Sequence, residues 1–166
     1  MKGLSKKELE AVAELEFHRK YFFTRDDISH LFKNKRQMTN IVYTLRKKGR
    51  IHRLNKNKYF LVPIKARKGK WTDHPLIIAD AMLNGANYYV GGWFAANYWR
   101  LTDQIPFQVD IYTTKRQGKV TMFNMRFVFH RTTQKSLRKA VTQTIDEHQF
   151  KILNKEQVRK WLKSKR

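Results

Sequence analysis

Cysteine is absent from this chain of 166 residues. Its absence excludes a disulfide framework, a Cys-ligated zinc, an iron–sulfur cluster and thiol catalysis. Acids are scarce as well: 13 Asp+Glu stand against 36 Lys+Arg, a formal net charge of +23. Such a deficit disfavours an ordinary neutral or acidic enzyme and favours a polyanionic partner. No apolar run approaches the roughly 20 residues needed to cross a bilayer. The first lysines, Lys2, Lys6 and Lys7, are not followed by the apolar region of a signal peptide. The expectation is a soluble, cytoplasmic, nucleoid-associated protein without a membrane partner. Hydrophobic residues still make up 41% and aromatics 13%, enough for a core and too many for a disordered basic tail.

The few acids are unevenly placed. Between Asp27 and Asp73 there is none, while 14 Lys or Arg fall there. From Asp73 to Asp110 the balance inverts, with four acids and only Arg100 as a base. From Ile111 to Ile145 acids vanish again beside eight bases. A merely lysine-rich surface would mix both signs. An acid-free block inside folded-looking sequence is better explained as a footprint for phosphates.

Capping signals and periodicity divide the first half. Ser5-Lys6-Lys7-Glu8 is a capping box, and Leu9, Val12, Ala13 and Leu15 follow at helical spacing, predicting a helix over about 6–18. Tyr21-Phe22-Phe23 reads as a short extended segment. Thr24-Arg25-Asp26-Asp27 starts a short helix over about 25–32. Asn34, with Gln37 three residues on, opens a third helix over about 35–48, in which Met38, Ile41, Val42 and Leu45 form an apolar stripe. Arg46-Lys47-Lys48-Gly49 suits its end. Residues 51–54 and 59–62 read as strands around the turn Asn55-Lys56-Asn57-Lys58. A basic linker, Lys65–Lys70 with Gly69, is the predicted boundary between a domain at 1–66 and another at 70–166. In the second domain a helix is expected over 75–83, another opening at Gly91-Gly92, a strand over 107–114, and one or two strands over 120–129 turning at Asn124. A basic helix capped by Asn154 is expected at the end.

Helix, short helix, polar turn, helix and basic hairpin is the order of a winged helix-turn-helix. The predicted fold class is therefore α+β: an N-terminal winged helix followed by a mixed α/β C-terminal domain. With the apolar stripe of the third helix inward, about 100° per residue puts Arg36, Asn40, Tyr43 and Lys47 outward. Gln37, Thr39 and Thr44 flank them. Arg suits guanine edges in a major groove, Asn adenine, and Thr a phosphate or thymine methyl. Arg53, Lys56 and Lys58 of the wing would reach a phosphate backbone or the adjacent minor groove. The predicted partner is double-stranded DNA. The competing reading is a small helical domain with a solvated polar face.

The segment Phe23–Val62 resembles the N-terminal winged helix of the AbiEi family of type IV antitoxins. Residues Asn87–Trp99, containing Tyr88-Tyr89-Val90-Gly91-Gly92-Trp93-Phe94-Ala95-Ala96, resemble the start of a helix in that family. Leu101-Thr102-Asp103-Gln104-Ile105-Pro106 resembles its characteristic turn, and Val109–Arg116 with Phe127-Val128-Phe129 resemble the strands after it. The resemblance spans about Phe23–Arg131, in order. It implies a transcriptional autorepressor functionally linked to a nucleotidyltransferase-like toxin, without a stable complex between the two. Family members continue further, whereas 35 residues follow Arg131 here; this departure bears on the antitoxin role more than on DNA binding. The oligomeric state is left open, with a dimer among the options.

Other chemistry finds no pattern. The six histidines (18, 30, 52, 74, 130 and 148) show neither HxxxH nor HExxH spacing, so no metal is expected. Asp103 and Asp110 lack the Lys two residues on that a nuclease would use. Gly91-Gly92 is no phosphate loop, because no GxxxxGK accompanies it; it would let a helix start pack closely. No cofactor and no enzymatic activity are expected. The alternative function is an RNA-binding module with Tyr88, Tyr89, Trp93 and the basic strands as its platform. Trp93, Tyr98 and Trp99, in a charge-poor segment, are expected mainly in the core.

Overall fold

The N-terminal capping box forms as the sequence predicts. Ser5 Oγ accepts from the Glu8 backbone N–H and the Glu8 carboxylate accepts from the Ser5 N–H, starting α1 (Lys6–Phe17). The structure, a computed structural model, describes residues 3–66 and 73–165. The chain is of the α+β class and divides into two compact units, residues 1–72 and 73–166. The expected linker at 65–70 falls largely outside the described residues.

In the first unit, β1 (Phe22–Thr24) is followed by the short helix expected over about 25–32, which winds as a 3₁₀ helix, Asp26–Leu31. Asp27 reaches back to the N–H and hydroxyl of Thr24 at 2.7 and 2.8 Å. The segment holds little more than one turn, too short to gain from α-helical propagation, and i,i+3 winding lines up Ile28 and Leu31. Next comes α2 (Lys35–Lys47), where Asn34 Oδ1 accepts from the Gln37 N–H at 2.9 Å. A hairpin of β2 (Ile51–Arg53) and β3 (Lys58–Leu61) completes an antiparallel sheet of order β1-β3-β2. Val12, Leu15, Phe23, Ile28, Met38, Val42, Leu45, Ile51, Tyr59 and Leu61 form the core. Ile41 sits half-buried at the edge of the α2 stripe.

The second unit opens with α3 (Pro75–Leu83), then β4 (Tyr88–Gly91) and α4 (Gly92–Tyr98). β5 (Gln108–Thr113), β6 (Gly118–Met122), β7 (Met125–Arg131), a single helical turn α5 (Gln134–Leu137), β8 (Ala140–Ile145), β9 (His148–Leu153) and α6 (Lys155–Lys163) follow. The six strands form one mixed sheet in the order β6-β7-β5-β4-β9-β8. β5–β7 and β4–β9 pair in parallel and the remaining neighbours antiparallel. Val109, Ile111, Phe127, Phe129, Phe150 and Ile152 are buried along its strands. Asn154 caps α6 through the Gln157 N–H, as expected.

Gly91 and Gly92 have a steric reason. A Cβ on Gly91 would lie 2.7 Å from the Tyr112 ring, and one on Gly92 2.7 Å from Asp110 Oδ2. Gly92 also adopts φ +61°, a left-handed conformation that suits glycine. Close packing at a helix start is thus their role.

Candidate nucleic-acid interface

The core residues of α2 point inward, and the sequence of the helix then dictates what is left outside. Arg36, Thr39, Asn40, Tyr43 and Lys47 are all exposed. The Lys47 ammonium lies 4.8 Å from the centre of the Tyr43 ring, an i,i+4 cation–π pair that holds both side chains over the same surface. Arg46, read from the sequence only as part of the helix end, is exposed beside Thr39 on the same face.

Two expected DNA contacts are turned to local work. Gln37 is half-buried, and its Oε1 accepts from the Lys33 N–H at 3.0 Å, one residue before the Asn34 cap. Thr44 is half-buried and donates to the Ile41 carbonyl at 3.0 Å. Thr39 stays exposed while its hydroxyl donates to the Lys35 carbonyl at 2.8 Å. The outward face of α2 is therefore Arg36, Thr39, Asn40, Tyr43, Arg46 and Lys47.

Glu8 explains how α2 is held. Its carboxylate is 2% exposed and lies 2.5 Å from Lys48 Nζ at the end of α2. Burial pushes the carboxyl up, but Lys48, the Ser5 N–H, Thr44 and the Ser5 hydroxyl outweigh it and bring it from 4.5 down to about 2. One acid on α1 thus takes up one cation of the acid-free block and fixes the two helices together.

The hairpin tip is equally organised. Asn55 Oδ1 accepts from the N–H groups of Asn57 and Lys58, both at 2.9 Å, an Asx turn. Arg53 folds over the tip, donating from Nε to the Asn55 carbonyl at 2.9 Å and from its terminal nitrogen to the Lys56 carbonyl at 3.2 Å. Its first task is to brace the turn, though a guanidinium has five donors and keeps others free. Lys56 is exposed and Lys58 half-buried. Burial pushes the His52 imidazole below its ordinary value, so it adds no charge to the hairpin at neutral pH.

Helix and hairpin meet at a groove of about 520 Å³ lined by Arg25, Asp26, Lys35, Met38, Arg53 and Lys56, among others. Arg25 and Lys35 are not among the contacts expected from the sequence. Arg25 Nε donates to the buried Tyr59 hydroxyl at 3.2 Å, which orients the guanidinium. A groove with four cations and one acid can hold a phosphate backbone. Asn57 at its rim adds a neutral donor.

The aromatic platform expected for RNA disperses. Tyr88 is 1% and Tyr89 7% exposed, and only Trp93, at 41%, reaches solvent to any extent. The Tyr88 hydroxyl donates to Asp80 at 2.7 Å and accepts from the Lys151 N–H, and burial pushes its phenol well above the ordinary range. Trp93 packs edge-on against Trp161, Tyr98 against Trp99 and Phe150. Among the described residues no three His, Asp or Glu side chains are grouped to hold a metal ion, and no helix is long and apolar enough to cross a membrane. The sequence matches no protein-family model, and no curated protein matches it.

Proposed function

We propose that this chain is a sequence-specific double-stranded DNA-binding transcriptional repressor whose first unit is a winged helix. The observation that carries the reading is the α2 face: Arg36, Asn40, Tyr43 and Lys47 exposed together, beside a cationic groove that joins the helix to a braced basic hairpin. The element order and the sheet order β1-β3-β2 support the winged-helix assignment. Arg36 and Asn40 offer the bidentate groups that tell guanine and adenine edges apart. Lys35, Lys56 and Arg25 neutralise the backbone and set the register. Repression of its own operon, and a toxin partner acted against without a stable complex, rest on the motif resemblance to AbiEi antitoxins alone. An RNA platform has less support, since two of its three aromatics are buried.

The test is selection of bound duplexes from a random pool, followed by titration of the selected and a scrambled duplex. Arg36→Ala and Asn40→Ala should each cost about 1–3 kcal/mol on the selected duplex and little on the scrambled one. Failure to enrich any sequence, or equal losses on both duplexes, would reduce α2 to a backbone contact.

A further inference from the structure

The second unit carries a cleft that shares no residue with the α2 interface. It has a volume of about 340 Å³ and lies beside the loop between α4 and β5, with Trp93, Ile105, Phe107, Gln108 and Asp110 in its lining. Phe107 is 71% and Ile105 89% exposed. Two large apolar side chains held in water beside a half-exposed indole suit a flat ligand.

The polar groups at the base of the cleft narrow the choice. Gln108 and Asp110 lie two residues apart on β5, so both side chains stand on one face of the sheet. Asp110 Oδ1 accepts from Gln108 Nε2 and from His130 Nε2, both at 2.8 Å. His130 is held in turn by stacking on Tyr112, whose ring stacks on Tyr89. This row fixes the carboxylate, and Gly92 gives it room. Among the described residues nothing donates to Asp110 Oδ2 or Gln108 Oε1. Both residues line the cleft, and the Asp110 side chain is 14% exposed. The cleft therefore presents two acceptors, one of them charged, and asks for a planar edge carrying two adjacent N–H donors. Among the nucleobases, guanine has that edge, N1–H beside the 2-amino group. Adenine places an acceptor next to its amino group, and uracil and cytosine likewise mix the two.

A cation stands alongside. Arg126 on β7 pairs with Gln108 in the parallel register, its N–H bonds to the Phe107 carbonyl at 3.1 Å, and it is exposed.

We propose that this cleft binds a guanine nucleotide: Trp93 and Phe107 take the base face, Asp110 and Gln108 its donor edge, and Arg126 the phosphate. The shared chemistry is a guanine with a neighbouring phosphate, either free or as an unpaired residue in a strand. The site draws on none of the α2 residues.

The full-length chain is titrated calorimetrically with GMP, IMP and AMP at about 0.3 M salt, where phosphate-only attraction is screened. IMP lacks the 2-amino donor and should bind about tenfold more weakly than GMP; AMP should lose on the order of 100-fold. Phe107→Ala, at an exposed position, should weaken GMP about tenfold. Asp110→Asn should collapse the three affinities together. Oligothymidylates with one central guanine or adenine form the second arm. Tighter binding of the guanine strand than of GMP assigns the site to a strand, and the reverse to a free nucleotide. Equal affinity for GMP, IMP and AMP in the wild-type chain overturns the proposal, and this readout does not depend on any variant folding. So does a guanine preference that survives Asp110→Asn. Binding of arginine amide without binding of GMP also overturns it and gives the cleft to a guanidinium.

Discussion

Both units are basic, but they use their acids differently. In the first, cations crowd a polar helix face and a hairpin, and the acids Glu8 and Asp27 are spent on fixing backbone and helix ends. In the second, the stretch Asp73–Asp110 has four acids and one base, and Asp80 and Asp110 are engaged with a tyrosine and with a histidine and glutamine. In the first unit Glu8 and Asp27 organise the scaffold, and Asp26 lines the cationic groove among four cations. An acid in the second stands at a cleft. Net charge therefore bears on what one face of this protein attracts and says nothing about the other.

Removing core volume from one unit should separate them most strongly. Phe127, fully buried in β7, changed to Ala should cost about 3–5 kcal/mol. Amide exchange should show the loss across the six-stranded sheet while α2 and the hairpin keep their protection. Uniform loss in both units would mean that they unfold as one.

Glu8→Ala should cost about 2 kcal/mol, because it removes the carboxylate partner of Lys48 and the half of the α1 capping box that the Glu8 side chain supplies. The pH dependence has a defined sign. Both Glu8 and Asp27 are held at about 2, against ordinary values of 4.5 and 3.8; for Asp27, Lys20 and the Thr24 N–H and hydroxyl overcome the upward push of burial. A depressed carboxyl stabilises fully above its unfolded value and loses that contribution as pH falls toward its folded one. Stability of the first unit should thus decline between about pH 4.5 and 2. Denaturant titration of the wild type and Glu8→Gln across that window checks it, the variant showing the shallower decline.

Smaller again is the effect of Arg25→Ala, about 1 kcal/mol of DNA affinity on any sequence. Both the selected and the scrambled duplex should weaken alike, in contrast to Asn40→Ala. The smallest change is in salt dependence. Lys56→Ala with Lys58→Ala should make the slope of log K against log salt shallower by about 0.9 for each phosphate no longer neutralised. Lys56 should account for most of it, since Lys58 is half-buried; single variants would show which lysine carries the slope.

Local signals govern what can be read from residues alone. The caps at Ser5, Asn34 and Asn154, the helix at 75–83 and the hairpin at 51–62 rest on interactions within a few residues, and they form where the sequence predicts. The turn at Phe123-Asn124 is legible too, although both residues take positive φ. The hairpin β8–β9 gives no such signal: its turn, Asp146-Glu147, puts two acids at positive φ, where Asn-Gly is the familiar pattern. β4 is equally silent, because Tyr88–Gly91 is buried throughout and shows no alternation.

Periodicity by itself determined which residues of α2 could face outward, because 3.6 residues per turn leaves no choice once Met38, Val42 and Leu45 are inside. It could not determine which of them remain available. Lys48, at the end of α2, is claimed by Glu8, 40 positions away, and Arg25 is brought to the hairpin by Tyr59, 34 positions away. The meeting of Asp110, His130 and Trp93 depends on a parallel pairing of β5 with β7 and on a glycine too small to block it. Such contacts are set by the packing of distant segments against each other. The chain's local spacing carries no record of them, so the outward face of α2 was legible in the sequence while its bracing, its groove and the second cleft were decided by the tertiary structure.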